Sequence, residues 1–225
     1  VTLLARNADR LTSALATLEG DGHAFEVADF SQPDSVAEAA QRVTARRPVE
    51  ILINNTGGPA GGPISEAQAS AFLATFEQHL ICNHLLATTV LDGMKAAGWG
   101  RIINVISTSV KQPLPGLGVS NTIRGAVASW AKTWATEVAP HNITVNNVLP
   151  GATGTQRLSS LAEAKAQKTG TTPDAVLKAM AAQVPMGRTA EPEEIARAIA
   201  FLASPAANYI SGINLPVDGG RTGCL

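Results

Sequence analysis

The chain has 225 residues, 45% of them hydrophobic and 16% charged, with a formal net charge of −1. That size and balance suit one α/β domain with a sizeable core and leave no basic face for nucleic acid or an anionic membrane. No apolar run reaches the ~18 residues a membrane helix requires, and Cys82 and Cys224 match neither a metal motif nor a disulfide framework.

No charged-then-apolar leader opens the sequence. The expectations are therefore a cytoplasmic protein with reduced thiols, no metal site and no nucleic-acid or membrane partner.

Val1–Ala5 reads as a short buried strand. A turn follows at Arg6–Asp9, then a helix with Leu11, Leu15 and Leu18 at helical spacing, stopped by Gly20-Asp21-Gly22. His23–Ala28 is a second strand, ending in Asp29-Phe30. Ser31 is a candidate N-cap, with Pro33 and Asp34 in the first turn of a helix that runs to about Arg46. Val49–Ile53 is a third strand, closed by Asn54-Asn55-Thr56-Gly57-Gly58.

After a Gly/Pro-rich loop, a long helical stretch runs from Glu66 to Ala97 with a break. Arg101–Ile106 is a strand, followed by the hydroxyl cluster Ser107-Thr108-Ser109. A loop then leads to a helix over Asn121–Val138 whose apolar stripe is Ile123, Val127, Trp130, Trp134 and Val138. Ile143–Leu149 is another strand, ended by Pro150-Gly151. The polar stretch Thr153–Pro185 carries two weak helical patterns. Glu191–Ala203 is a firm helix with Pro192 in its first turn, and Asn208–Val217 is a last strand. Strand and helix alternate throughout, which predicts a doubly wound parallel sheet covered on both faces.

Hydroxyls and glycines gather at the carboxyl ends of these strands, where open α/β sheets hold ligands. Ser120 and Arg124, four residues apart at a helix start, share one face of it. Asn54, Thr56 and Gly57 read equally as a turn or as a ligand-approach site. Asp29 alone suits a helix cap. Arg6 stands past the first strand and reads equally as a solvated arginine at a helix start or, in a dinucleotide fold, as the group at the adenosine ribose, where an arginine accommodates a 2′-phosphate and an acid would favour NAD.

Seven blocks in order carry a resemblance over nearly the whole chain: ARNADRL, ADFSQPDSV, INNTGG, GMKAAGWGRIINVIS, VNNVLPG, PMGRTAEPEEIARAIAFLAS and YISGINLPVDGG. The chain resembles the short-chain dehydrogenase/reductase family, and within it the bacterial 3-oxoacyl-acyl-carrier-protein reductases.

The resemblance implies a Rossmann-like, three-layer αβα domain spanning 1–225, with a substrate lid at about 153–187. It implies a cofactor, NADP with NAD as the alternative, and a small carbonyl or alcohol substrate, a 3-oxoacyl thioester being one candidate. Asn54, Thr56 and Gly57 would lie near the riboses, Asp29 and Phe30 at the adenine, and Pro150, Gly151, Thr153 and Thr155 at the carboxamide. The Trp130/Trp134/Val138 helix and the Glu66–Ala97 helix correspond to the family's dimer-forming pair, so a homodimer or homotetramer is expected.

Two departures stand out. The family's opening strand and Gly-rich turn, which cradle a pyrophosphate at a helix N-terminus, are not in this sequence. The expectation is roughly 25–35 further N-terminal residues, about one βα unit, between the strands at Val1–Ala5 and Val49–Ile53. The second departure is in the catalytic set of Asn, Ser, Tyr and Lys. Ser107 keeps the Ser, Ser120 takes the Tyr position and Arg124 the Lys position. His79 takes the Asn position, unless the alignment slips to Asn83.

A serine hydroxyl is a far weaker acid than a phenol, whose usual pKa is about 10, and an arginine does not relay a proton. A working reductase with Ser107 at the carbonyl and a proton from water on Ser120 or His79 is one reading. A non-catalytic nucleotide- or partner-binding protein is the other. A hydrolase lacks its Gly-x-Ser-x-Gly elbow here.

Overall fold

The computed structural model describes residues 1–224. Its β-structure is two parallel sheets. Strand β1 (Thr2–Ala5) pairs with β2 (Ala24–Val27), and a four-stranded sheet runs in the order β3 (Ile51–Asn54), β4 (Gly100–Val105), β5 (Ile143–Pro150), β6 (Asn214–Val217). All ladders are parallel.

The helices are α1 (Ala8–Leu15), α2 (Pro33–Arg46), α3 (Ala69–Phe76), α4 (Cys82–Ala97), α5 (Gly118–Val138), α6 (Gln156–Thr169), α7 (Pro173–Ala182) and α8 (Pro192–Ala203). Strand alternation sends Ile102 and Val145 to one face of the larger sheet, where they pack with Val90 and Met94 of α4 and Trp134 and Val138 of α5. Ile103 and Val148 point the other way, onto Ile195 and Leu202 of α8. Central strands buried on both faces explain why β4 and β5 read as apolar runs rather than alternating ones.

Local chemistry sets the element ends. Pro33 opens α2, and Glu191 and Glu194 form a reciprocal capping box at the start of α8. Gly98, at φ 62, ends α4 in the left-handed conformation.

Several expectations change. Ser31 is not the cap of α2. That position is Gln32, which makes no side-chain cap bond, and Ser31 instead gives its N–H and hydroxyl to Asp29 at 2.9 and 2.8 Å. Helix α1 ends at Leu15, before Leu18. The last strand is only Asn214–Val217, because Pro205–Ala207 forms a 3-10 turn ahead of it. The break in the long helix is a π-turn at Glu77–Ile81 between α3 and α4.

The expected single sheet is divided. Strands β1 and β3 do not pair, and a cleft of about 730 Å³ lies between them, lined by Val1–Leu4, Val49–Asn55, and Leu86 and Val90 of α4. Ile51 and Ile53 on its wall are 43% and 39% exposed. No helix among the described residues is long and apolar enough to cross a membrane.

Candidate active site

An in-register row of asparagines crosses the larger sheet, from the last residue of β3 to the first of β6. Asn54 donates to Asn104 at 2.8 Å, Asn104 to Asn147 at 2.9 Å, and Asn147 to Asn214 at 2.8 Å. The register pairs those same residues strand by strand. Each inner amide is satisfied on both sides inside the core, so the row ties four strands together.

Beyond the row, the loops enclose a cavity of about 630 Å³. It is lined by Thr56 and Gly57 after β3, by Ser107 after β4, and by Ser120 and Arg124 of α5. Pro150 at the end of β5, with Gly151, Thr153 and Thr155 after it, completes that side. The sequence-predicted residues at these positions are thus brought together from four separated segments.

Ser107 accepts the Ser109 N–H at 3.1 Å and so caps the 3-10 turn that follows β4. This bond orients its hydroxyl. The loop from Gly151 is held by Gly154 N–H to Ala190 O and Ala190 N–H to Ala152 O, both 2.8 Å.

Arg124 is buried and donates to Val105 O at 3.0 Å. Burial, then the neighbouring Arg157 charge, pushes its pKa down to about 10, so it is still a cation at neutral pH.

His79 lies behind this wall, in the π-turn, 1% exposed, with Nδ1 2.5 Å from Thr56 Oγ1. Burial, then the charge of Arg124, lowers its pKa to about 3. The imidazole is neutral at ordinary pH and is not itself part of the cavity lining. Asn83, the other candidate for this position, is buried one turn further along, in α4.

The remaining predicted residues lie elsewhere. Arg6 and Asp29 follow β1 and β2, where the Asp29 carboxyl is held below the usual range by the Ser31 hydrogen bonds and by Arg6. The Phe30 ring is packed against the core formed by Val36, Cys82 and Leu86 and lines the β1–β3 cleft. Asn54 is buried in the asparagine row and reaches the β1–β3 cleft, not the cavity of Ser107.

Sequence reading missed Arg157 and Gly58, both in the cavity lining. Arg157 looked like one more charge in a polar segment, and only the fold of α6 over the loop after β3 shows what it faces. Among the described residues no three His, Cys, Asp or Glu side chains cluster as a metal site would require.

The family model described as enoyl-(acyl carrier protein) reductase matches residues 1–222. The chain belongs to the short-chain dehydrogenase/reductase family. It is accordingly an oxidoreductase.

A 3-oxoacyl-[acyl-carrier-protein] reductase of Vibrio cholerae is 35% identical over 204 residues, 89% of this chain and 77% of that protein. The solved L-sorbose reductase of Gluconobacter frateurii, complexed with NADPH and L-sorbose, is 31% identical at TM-score 0.92, covering all of this chain and 87% of that one. An actinorhodin polyketide ketoreductase solved with NADPH reaches 28% identity and TM-score 0.92 over 99% of this chain and 87% of that one. The alternative of a non-catalytic member of this family draws no support from these relatives.

Proposed function

We propose that this short-chain dehydrogenase/reductase uses NADP(H) to reduce a small carbonyl compound or oxidise the matching alcohol. The observation that carries the reading is the convergence of Ser107, Ser120 and Arg124 on one cavity opposite Thr56 and Gly57.

The residues present fit a dinucleotide. Gly57 and Gly58 leave the wall of the cavity without side chains beyond Cα, and a Cβ at Gly57 would meet nothing within 4 Å. Thr56, Thr153 and Thr155 offer hydroxyls, and Arg124 a fixed cation. Arg6, just past the end of β1, offers a cation for the 2′-phosphate that distinguishes NADP. When bound, NADPH supplies the hydride.

The protein's own groups then have separable tasks. Ser107 donates a hydrogen bond to the carbonyl oxygen. Arg124 offsets the negative charge that grows there, from a water-poor position where such stabilisation is strongest. Ser120 hydrogen-bonds a water that relays a proton inward from bulk solvent, taking one up as it passes one on, so that neither the serine nor the water ends deprotonated. His79, neutral at working pH, holds Thr56 in place rather than delivering a proton. Helices α6 and α7 form the lid over the substrate within a single domain. Helices α4 and α5, whose His84, Trp130 and Trp134 rings cluster at 5.8–6.3 Å, supply the contact of a homo-oligomer.

Loss of NADPH absorbance with a panel of 3-oxoacyl thioesters, diketones and keto sugars tests the reading. Turnover that disappears in Ser107→Ala supports it. An intact, NADPH-binding protein that turns over none of the panel would sink it.

A further inference from the structure

We infer that Leu117, Leu158 and Leu161 select the substrate, a ketone with an apolar alkyl or alicyclic carbon body that lies on them. This rests on the reductase reading and names its substrate class.

The three leucines come from two elements and line one cavity. Leu117 is the N-cap residue of α5, one turn before Ser120, so the two share a face beside the carbonyl position. Leu158 and Leu161 stand on α6. A Cβ built on Gly61 would lie 3.6 Å from Cδ2 of Leu117 and 4.0 Å from Cδ2 of Leu161, so both tips converge on the loop after β3. Main-chain bonds hold that loop to the start of α5, Gly62 N–H to Gly116 O at 2.7 Å and Gly118 N–H to Gly62 O at 3.3 Å.

The protein core makes no use of these side chains. Helix α6 is anchored to α7 by Ala162 and Ala166 against Val176. Among the described residues, Leu117, Leu158 and Leu161 belong to none of the hydrophobic clusters that build the core. All three are half-buried, on the wall of the cavity. Apolar surface gathered in a cavity and left uncovered by the fold marks the place of a ligand's carbon skeleton.

The polar groups of the wall have other tasks. Ser107 and Ser120 face the carbonyl, and Thr56, Arg124, Thr153 and Thr155 the dinucleotide. Asn55 directly follows β3, and Arg157 donates to Pro59 O and turns to Gly58, so both lie along the dinucleotide's side. The substrate's carbon body meets apolar side chains. A hydroxyl placed there loses its water and gains no partner, whereas each methylene gains by leaving water.

The test uses pentan-2-one and 4-hydroxybutan-2-one, which have the same number of heavy atoms and differ in a terminal methyl against a hydroxyl. The full chain and its Leu161→Ser and Leu161→Met variants are assayed with saturating NADPH. Expected is a kcat/KM for pentan-2-one about tenfold or more above that for the hydroxyketone, rising about fourfold for each methylene from butan-2-one to hexan-2-one. Leu161→Ser should bring the isosteric pair to within about threefold, Leu161→Met should keep most of the preference, and the NADPH Kd read by nicotinamide fluorescence should stay unchanged. The intrinsic reactivities of the two ketones are the same in every variant, so the change in their ratio reads the leucine contact.

Equal values for the pair in the unaltered protein, or a preference for the hydroxyketone, would overturn the assignment and leave the reductase reading standing. So would a ratio that Leu161→Ser does not move, the outcome if the leucines only meet one another when the lid closes. An NADPH Kd that rises in Leu161→Ser would give the leucine to the cofactor instead. If no ketone is reduced, calorimetric titration of pentanamide, an unreactive carbonyl of the same shape as hexan-2-one, into the NADPH-loaded protein decides the subsite separately. Binding that Leu161→Ser weakens about tenfold supports it, and no binding up to about 10 mM overturns it.

Discussion

Thr56 Oγ1 and His79 Nδ1 are hydrogen-bonded at 2.5 Å across the join between the loop after β3 and the π-turn between α3 and α4. The π-turn gives this stretch of helix one extra residue and turns His79 inward. Burial then decides its chemistry. An imidazole with a pKa near 3 has no proton to give at neutral pH.

The pH consequence has a definite sign. The folded pKa of about 3 is below the unfolded value of 6.5, so the unfolded chain binds the extra proton between those limits. His79 therefore stabilises the fold fully above pH 6.5, and that stability is lost as pH falls toward 3. The slope is at most about 1.4 kcal/mol per pH unit for a single group. Urea midpoints measured from pH 7.5 down to pH 4.5 should fall in the unaltered protein and fall less in His79→Asn. Parallel curves for the two proteins would refute the assignment.

Restoring the phenol and the amine tests what the native site lacks. Ser120 lines the cavity one helical turn before Arg124. A Ser120→Tyr, Arg124→Lys double variant should raise kcat/KM for a neutral carbonyl by about a hundredfold, the lower range for a well-placed general acid. A fall in rate instead would mean that serine and arginine work as a matched pair that the phenol disrupts.

The asparagine row predicts a large stability cost at its middle. Asn104 is fully buried and bonded on both sides, to Asn54 and to Asn147. Asn104→Leu leaves one buried donor and one buried acceptor unpaired, at about 1–3 kcal/mol each. Thermal denaturation should show Tm lowered by several degrees, and more than for a Leu substitution at Asn214, which has a row partner on one side only. Equal shifts would deny the row its bridging role.

Gly118 begins the helix that carries Ser120 and Arg124. A Cβ there would stand 2.5 Å from the Ile64 Cβ and 2.7 Å from its Cα, closer than real contacts allow. Gly118→Ala should cost about 1–3 kcal/mol by overpacking and tilt α5 away from the loop after β3. Activity should fall while the far-ultraviolet circular dichroism stays unchanged at low temperature. Unaltered stability and rate would show that the loop yields freely.

What the chain alone determined is its periodicity and its punctuation. Apolar runs such as RIINVI and ITVNNVL, and start signals such as the EPEE of α8, declare strands and a helix locally. Their order is enough for a parallel α/β fold, and strand ends name most of the cavity residues. Ser31 misled because a hydroxyl before a proline is also a good partner for the nearby Asp29, and pattern does not decide between those bonds.

Tertiary structure decided everything that depends on two segments meeting. The asparagines look like ordinary strand-end polar residues until the register aligns them. Burial and a neighbouring cation, neither visible in sequence, change His79 from a plausible acid into a neutral strut. Arg157 gains meaning only when α6 folds across Gly58 and sets a second guanidinium beside Arg124. Hydrogen-bond partners and pKa values are properties of neighbours in space, and the sequence orders neighbours only along the chain.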